Sequence, residues 1–149
     1  MTVLADNKKA RFDYTILETF ETGIILTGQE VKSARDGHFN LKGAYVTFHN
    51  NQAFLTGGHI SKYKPAGPLP DYDPEHSRRL LLHKKQIRYL MVKALEKGLT
   101  IVPLQVYTKL RLIKVEIGVA QGRHKYDKRE LLKKRDIDRE TKQILKRQD

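Results

Sequence analysis

Hydrophobic and polar positions along the first third of the chain follow an extended pattern. The run FDYTILETFETGIILTG, Phe12 to Gly28, is dense in β-branched and aromatic residues and punctuated by glycine. It predicts two strands joined at Glu21-Thr22-Gly23. The next run, QEVKSARDG, suits a short helix that Gly37 ends. AYVTFHNNQAFLTGGHI then predicts a hairpin, because Asn50-Asn51 tolerates the positive φ of a tight turn and strand-like runs flank it. From Tyr63 to Ser77 the pattern breaks. YKPAGPLPDYDPEHS holds four of the five prolines and predicts an irregular loop.

Helical periodicity is clearest between His83 and Lys97. Ile87, Leu90, Met91, Ala94 and Leu95 recur at i, i+3, i+4, i+7 and i+8 and predict one apolar stripe facing a core. Lys93 and Lys97 suit the last turn and Gly98 the stop. LTIVPLQVYTKLRLIKVEIGVAQG reads as a long hairpin turning at Lys109 to Arg111, with Lys114, Glu116 and Gly118 alternating against Val115, Ile117 and Val119. About six strands with flanking helices predict a mainly β fold with α, a small OB-like Greek-key barrel. The expected division is a barrel domain over residues 1–122 and a basic tail over 123–149. Fold alone does not assign function.

Charge changes that picture most. The chain has 149 residues, net charge +12 and pI near 9.9, which makes a polyanion the leading partner. From Gln121 to Asp149 there are 11 Lys/Arg against 6 Asp/Glu, and before them 18 against 11, so the last fifth carries over a third of the excess. No cysteine is present, which excludes disulfides, thiolate zinc sites and cysteine nucleophiles. No apolar run approaches the roughly 20 residues that span a bilayer. The first residues lack the pattern of a secretion signal. A cytoplasmic, monomeric protein is the expectation.

Catalysis finds little support. Asp71, Asp73, Glu75 and His76 are close together, but the spacing matches no calcium loop and reads as a solvated turn. Asp136 and Asp138 lie among Arg135, Arg139 and Lys142, where Asp138 and Lys142 form an i, i+4 helix pair rather than a carboxylate site. The six histidines lack metal-ligand spacing, and phosphate loops and nucleophile elbows are absent. No enzyme activity, cofactor or metal is expected.

Cations before the first strand (Lys8, Lys9, Arg11), on the short helix (Lys32, Arg35) and around SRRLLLHKK (Arg78, Arg79, Lys84, Lys85) suit sequence-tolerant phosphate contact instead. The stretch Tyr126 to Gln148 has neither proline nor glycine and carries Glu130–Lys134 and Asp138–Lys142 at helical spacing. Its apolar residues, Leu131, Leu132, Ile137, Ile144 and Leu145, are too sparse to offset the entropy of ordering. This predicts a tail that is disordered when free and helical on an anionic surface. Tyr126 at its root has two readings, stacking on an exposed base or closing the barrel exit. A ribosome-assembly or general RNA-chaperone protein is one function such residues fit.

Five ordered blocks carry a resemblance that spans nearly the whole chain. NKKARFDYTILETFETGIILTGQEVKSARDG (7–37), RRLLLHKKQI (78–87), GLTIVPLQVY (98–107), KVEIGVAQG (114–122) and YDKR (126–129) resemble the SsrA-binding protein family, also called small protein B. The resemblance implies an OB-like barrel that binds transfer-messenger RNA, the RNA that rescues stalled ribosomes in trans-translation. It implies no catalysis. The family's barrel holds the elbow of the transfer-RNA-like part, and its tail reaches the decoding centre and lies as a helix in the empty messenger channel. Carried over, it puts Asn7, Glu21 and Lys114 on the RNA-binding face. Tyr126 takes the position of a ring that stacks at the decoding centre, and Asp127, Lys128 and Arg129 match the motif that accommodates the complex. Lys133, Lys134, Arg135 and Arg139 would face ribosomal RNA along the channel. On physics alone Asn7 also reads as a turn former and Glu21 as a loop acid. The chain departs from the family at TKLRLI, where many members have glycine, and at Gly122-Arg123-His124, where the family often has GKK.

Overall fold

The computed structural model describes residues 1–123, to which every structural statement below refers. The order is β1 (Thr2–Asp6), α1 (Lys8–Asp13), β2 (Tyr14–Ile24), α2 (Gly28–Arg35), β3 (Phe39–Asn40), β4 (Tyr45–His49), β5 (Gln52–Thr56), β6 (His59–Ile60), β7 (Arg78–Leu81), α3 (Lys84–Leu95), β8 (Leu99–Lys109) and β9 (Leu112–Gly122). Seven strands form one antiparallel sheet in the order β1-β8-β9-β2-β7-β5-β4, and β3 pairs with β6. The sheet curls until β4 packs against β8 and β1 against β3. Its edges, β1 and β4, do not hydrogen-bond to each other, so the ring stays open. Inside lie Leu55, Ile60, Leu80, Ile101, Val115 and Ile117, joined by Ala34 of α2 and Leu90 of α3.

Local signals hold where the chain decides its own geometry. Asn50 and Asn51 both take positive φ and close the β4–β5 hairpin. Thr27 caps α2: its hydroxyl accepts from Glu30 N while Glu30 Oε1 accepts from Thr27 N, a reciprocal capping box. Gly37, at φ +87°, takes the chain out of that helix. The β8–β9 turn is made by Leu110 and Arg111, both at positive φ, where glycine would sit without strain.

Three expectations are corrected. Glu21-Thr22-Gly23 is no turn: β2 runs unbroken for 11 residues, with those three paired to Glu116, Val115 and Lys114. Cross-strand pairing with β9 overrides the local turn preference, and Thr22 is buried with its hydroxyl on Val115 O. The α3 stripe is core only at Ile87 and Leu90, with Met91 and Ala94 at its margin, whereas Leu95, the last residue of the helix, is 87% exposed. There are nine strands rather than about six; β3 and β6 are two residues each, too short to show a period.

A charged pair lies at the centre. Glu30 of α2 and Arg78 of β7 are each 1% exposed, with Arg78 Nη2 2.7 Å and Nε 2.9 Å from Glu30 Oε2. The guanidinium also donates to Gly58 O at 2.7 Å and Pro74 O at 2.8 Å. Tyr72 donates to Ile60 O at 2.6 Å, and His76 Nε2 lies 2.9 Å from the same Glu30 oxygen. The proline-rich segment is therefore anchored to the core, not merely looped over it. Burial pushes the Glu30 carboxyl up, but the Thr27 amide, Arg78 and His76 outweigh it and hold it below the usual range.

Breaking such a pair strands the surviving charge. Glu30→Gln should lower unfolding free energy by about 3 kcal/mol in urea titrations at neutral pH. Because the folded-state carboxyl is held low, its contribution is complete above the ordinary 4.5 and is lost as pH falls through the lower folded value. The variant's stability should therefore depend less on pH below 4.5 than that of the parent.

Candidate nucleic-acid interface

Strand alternation builds one open groove. On β7, Arg78 and Leu80 point inward while Arg79 and Leu81 point out. On β9, Val115 and Ile117 are buried and Lys114 and Glu116 face outward with Glu21 and Gly23 of β2. The first turn of α3 and the Asn50-Asn51 hairpin close the sides. The groove has a volume of about 1010 Å³ and is lined by Glu21, Gly23, Arg79, Leu81, Lys84 and Lys114, with His83 and Arg88 also at its wall. Gly23 suits a close approach: a Cβ there would meet Leu81 Cβ at 3.2 Å, so the leucine would have to give by a few tenths of an ångström. Leu81 is itself 50% exposed.

The groove is basic with one acid in it. Arg79, Lys84, Arg88 and Lys114 present cations, and the N-terminus of α3 adds its dipole. Glu21 accepts a short hydrogen bond from the Tyr107 hydroxyl at Oε2, and Lys109 Nζ lies 3.3 Å from both of its oxygens. The Tyr107 bond is the main influence on the Glu21 carboxyl; burial opposes it, Lys109 and Lys114 reinforce it, and the group sits below the usual carboxylate range. Burial and the Glu21 charge push the Tyr107 phenol up, which keeps it a donor.

Of the residues expected on the RNA-binding face, the structure brings together Glu21, Arg79, Lys84 and Lys114. Lys8 and Lys9 are exposed on α1, outside the groove lining. Lys32 and Arg35 are exposed on α2, also outside it: Lys32 lies 5.7 Å over the Tyr63 ring and Arg35 donates to Arg111 O at 3.2 Å. Arg78 is a correction. It is a core residue whose guanidinium is spent on Glu30 and three further oxygens, and it offers nothing to a phosphate. Asn7 is the second correction, being buried with both ends of its side-chain amide hydrogen-bonded. Its Nδ2 donates to Pro103 O at 2.8 Å and its Oδ1 accepts from Ala10 N at 3.2 Å, so it caps α1 and pins the bulge in β8.

Leu81, Arg88 and the Asn50-Asn51 turn were not anticipated at this site. One signal was available for Leu81: in RRLLL, a strand period of two obliges some leucine to face outward. Among the described residues no group of three His, Asp or Glu is placed to hold a metal; Asp73 Oδ1 accepts from Glu75 N at 2.9 Å and His76 turns to Glu30. No helix there is long and apolar enough to cross a membrane. The chain leaves the sheet with Gly122 N donating to Gly98 O and Arg123 N to Asp13 O, and Arg123 Nε lies 3.1 Å from Thr15 Oγ1. Tyr126, Asp127, Lys128, Arg129, Lys133, Lys134, Arg135 and Arg139 lie outside the described residues.

Comparison with known proteins bears on the whole chain. A family model described as SmpB protein matches residues 4–147. The chain is 51% identical over 144 residues to the SsrA-binding protein of Lacticaseibacillus casei (strain BL23), covering 97% of this chain and 91% of that one. It is 48% identical to the SsrA-binding protein of Trichodesmium erythraeum (strain IMS101), covering 97% and 92%. A solved chain described as "tmRNA-SmpB: a journey to the center of the bacterial ribosome" superposes with a TM-score of 0.68 at 41% identity, covering 85% of this chain and 92% of that one. With the match running from residue 4 to residue 147, through the curled sheet, the groove and the basic segment that follows, the chain belongs to the SmpB protein family.

Proposed function

We propose that this chain is a non-enzymatic RNA-binding adaptor of trans-translation. It binds the transfer-RNA-like part of transfer-messenger RNA and delivers it to stalled ribosomes. The observation that carries the reading is the groove, which gathers four cations from β7, α3 and β9 around an ionised Glu21. Cations spaced along a concave wall suit a phosphate backbone, and Glu21 supplies an acceptor for base or ribose donors. Leu81 adds an apolar contact beside Gly23 for a base or sugar face. Lys8, Lys9, Lys32 and Arg35 supply phosphate contacts outside the groove, and Asn7 acts by capping the helix that carries Lys8 and Lys9.

Residues 1–122 form the RNA-holding unit and 123–149 the ribosome-probing tail. The layout of β9 supports this division. Lys114 stands near its start and Gly122 at its end, about 26 Å apart at roughly 3.3 Å per residue. Tyr126 to Arg129 enter the decoding centre, with Lys133, Lys134, Arg135 and Arg139 following along the messenger channel. A protein acting this way works in the cytoplasm with the ribosome.

Sequencing the RNA that co-purifies with the chain from bacterial cells tests the reading. Transfer-messenger RNA should dominate; a mixture of ribosomal fragments would instead favour an assembly factor or general chaperone.

Lys114→Ala should weaken binding to transcribed transfer-messenger RNA by about fivefold and reduce the slope of log K against log salt by about one. Lys97→Ala, in the turn beyond the far end of α3 and outside the groove lining, should change neither quantity.

Truncation after Gly122 should leave RNA affinity at physiological salt nearly intact while abolishing peptide tagging in a reconstituted stalled-ribosome assay. A loss of RNA affinity of about a hundredfold would sink the division of labour.

A further inference from the structure

An acid in a basic groove needs an explanation, because it opposes the phosphate attraction around it. Glu21 also stands directly opposite Glu116 in the β2–β9 ladder, and like charges across a sheet destabilise it. Glu116 has Arg11 Nη2 at 3.8 Å, while Lys109 and Tyr107 serve Glu21. Tyr107 does so from a distance. It lies on β8, two strands away, with Lys114 of β9 as its register partner and Gly23 of β2 beyond. The residue is 5% exposed and its hydroxyl crosses β9 to reach Oε2.

The contact is not needed to hold the strands. β8 and β2 are each laddered to β9 along most of their length, so one more bond between them adds little cohesion. What the bond fixes is the carboxylate's rotation. Tyr107 and Lys109 occupy the sheet side of Glu21, whose side chain remains 39% exposed toward the groove. A carboxylate can accept about four hydrogen bonds, so lone pairs remain for donors arriving from the groove.

Resting on the RNA-binding reading above, we infer that Tyr107, seconded by Lys109, is a positioning residue for RNA. It holds the Glu21 carboxylate in one orientation, so that base or ribose donors meet an acceptor already set rather than a freely rotating side chain. Preorganisation of this kind improves affinity by removing the ordering cost at the moment of binding. Tyr107 makes no RNA contact itself.

The test is a double-mutant cycle on the full chain with transcribed transfer-messenger RNA. Tyr107→Phe keeps the buried ring and deletes the hydroxyl; it should weaken binding by about fivefold. Glu21→Gln should weaken binding more, and adding Tyr107→Phe to it should cause no further loss. Carbon-13 NMR of the RNA-free protein supplies a readout that packing alone would not move: the Glu21 carboxyl titration should shift to higher pH in Tyr107→Phe. An equal loss from Tyr107→Phe in both backgrounds, or parental affinity in the single variant, would overturn the inference. If Lys114→Ala weakens binding while both Glu21→Gln and Tyr107→Phe bind like the parent, the groove reading survives and this inference fails. If the parent does not prefer transfer-messenger RNA over ribosomal RNA, both fall.

Discussion

Burying Glu30 against Arg78 takes two full charges out of water, and the rest of the architecture is arranged to make that tolerable. Desolvating an ion pair costs several kcal/mol per ion unless the remaining donors and acceptors are matched. Arg78 reaches Glu30, Gly58 O, Pro74 O and the Tyr72 hydroxyl, while Glu30 takes the Thr27 amide as well. One pair thereby ties α2, the β5–β6 connection, the proline-rich segment and β7 together. It also sets the register of β7. With Arg78 held inside, Leu80 follows inward, and Arg79 and Leu81 must point out. A slip of one residue would turn Arg79 into the core and remove one of the groove's four cations together with its Leu81 contact.

The parts of the fold legible in the sequence are those that neighbours in the chain decide. The Asn50-Asn51 turn, the capped start of α2 and the middle of α3 depend on positive φ, a side-chain cap and a 3.6-residue period, all local quantities. Glu21-Thr22-Gly23 was opaque because its meaning lies in partners about 60 and 90 positions away: Leu81, which packs over Gly23, and the β9 strand opposite. Arg78 was misread for a related reason. An arginine in a basic run looks like surface, and only its contact with Glu30, 48 residues earlier, shows that it is core. Among the candidate site residues, strand alternation was enough to place Lys114 outward, but no pattern could show that Asn7's side chain is consumed by Pro103 and Ala10.

Cations attract any polyanion, and attraction of that kind discriminates poorly among RNAs because every phosphate is alike. Discrimination needs groups that respond to donors and shape: an ionised Glu21, an exposed Leu81, and the floor kept open by Gly23. These three share one face of β2 and β7, between Arg79 on one side and Lys114 on the other. On the proposed RNA-binding reading, the curled sheet would set a small selective surface inside a larger electrostatic one, using the same strand alternation that builds its core.

The length of β9 then separates two uses of charge. At its Lys114 end the cations are fixed on strands and a helix, spaced by backbone geometry, and suited to a folded RNA of definite shape. At its Gly122 end the chain is pinned by Gly98 O, Asp13 O and Thr15 before the basic segment begins. That segment carries 11 Lys/Arg from Gln121 onward, at helix-compatible spacing and with few apolar residues. Rigid charge can read a shape, whereas charge on a lean segment suits a channel that supplies the ordering surface itself. On the proposed reading, placing the two at opposite ends of one strand would let a single small domain hold an RNA at one end and leave the other end for the basic segment.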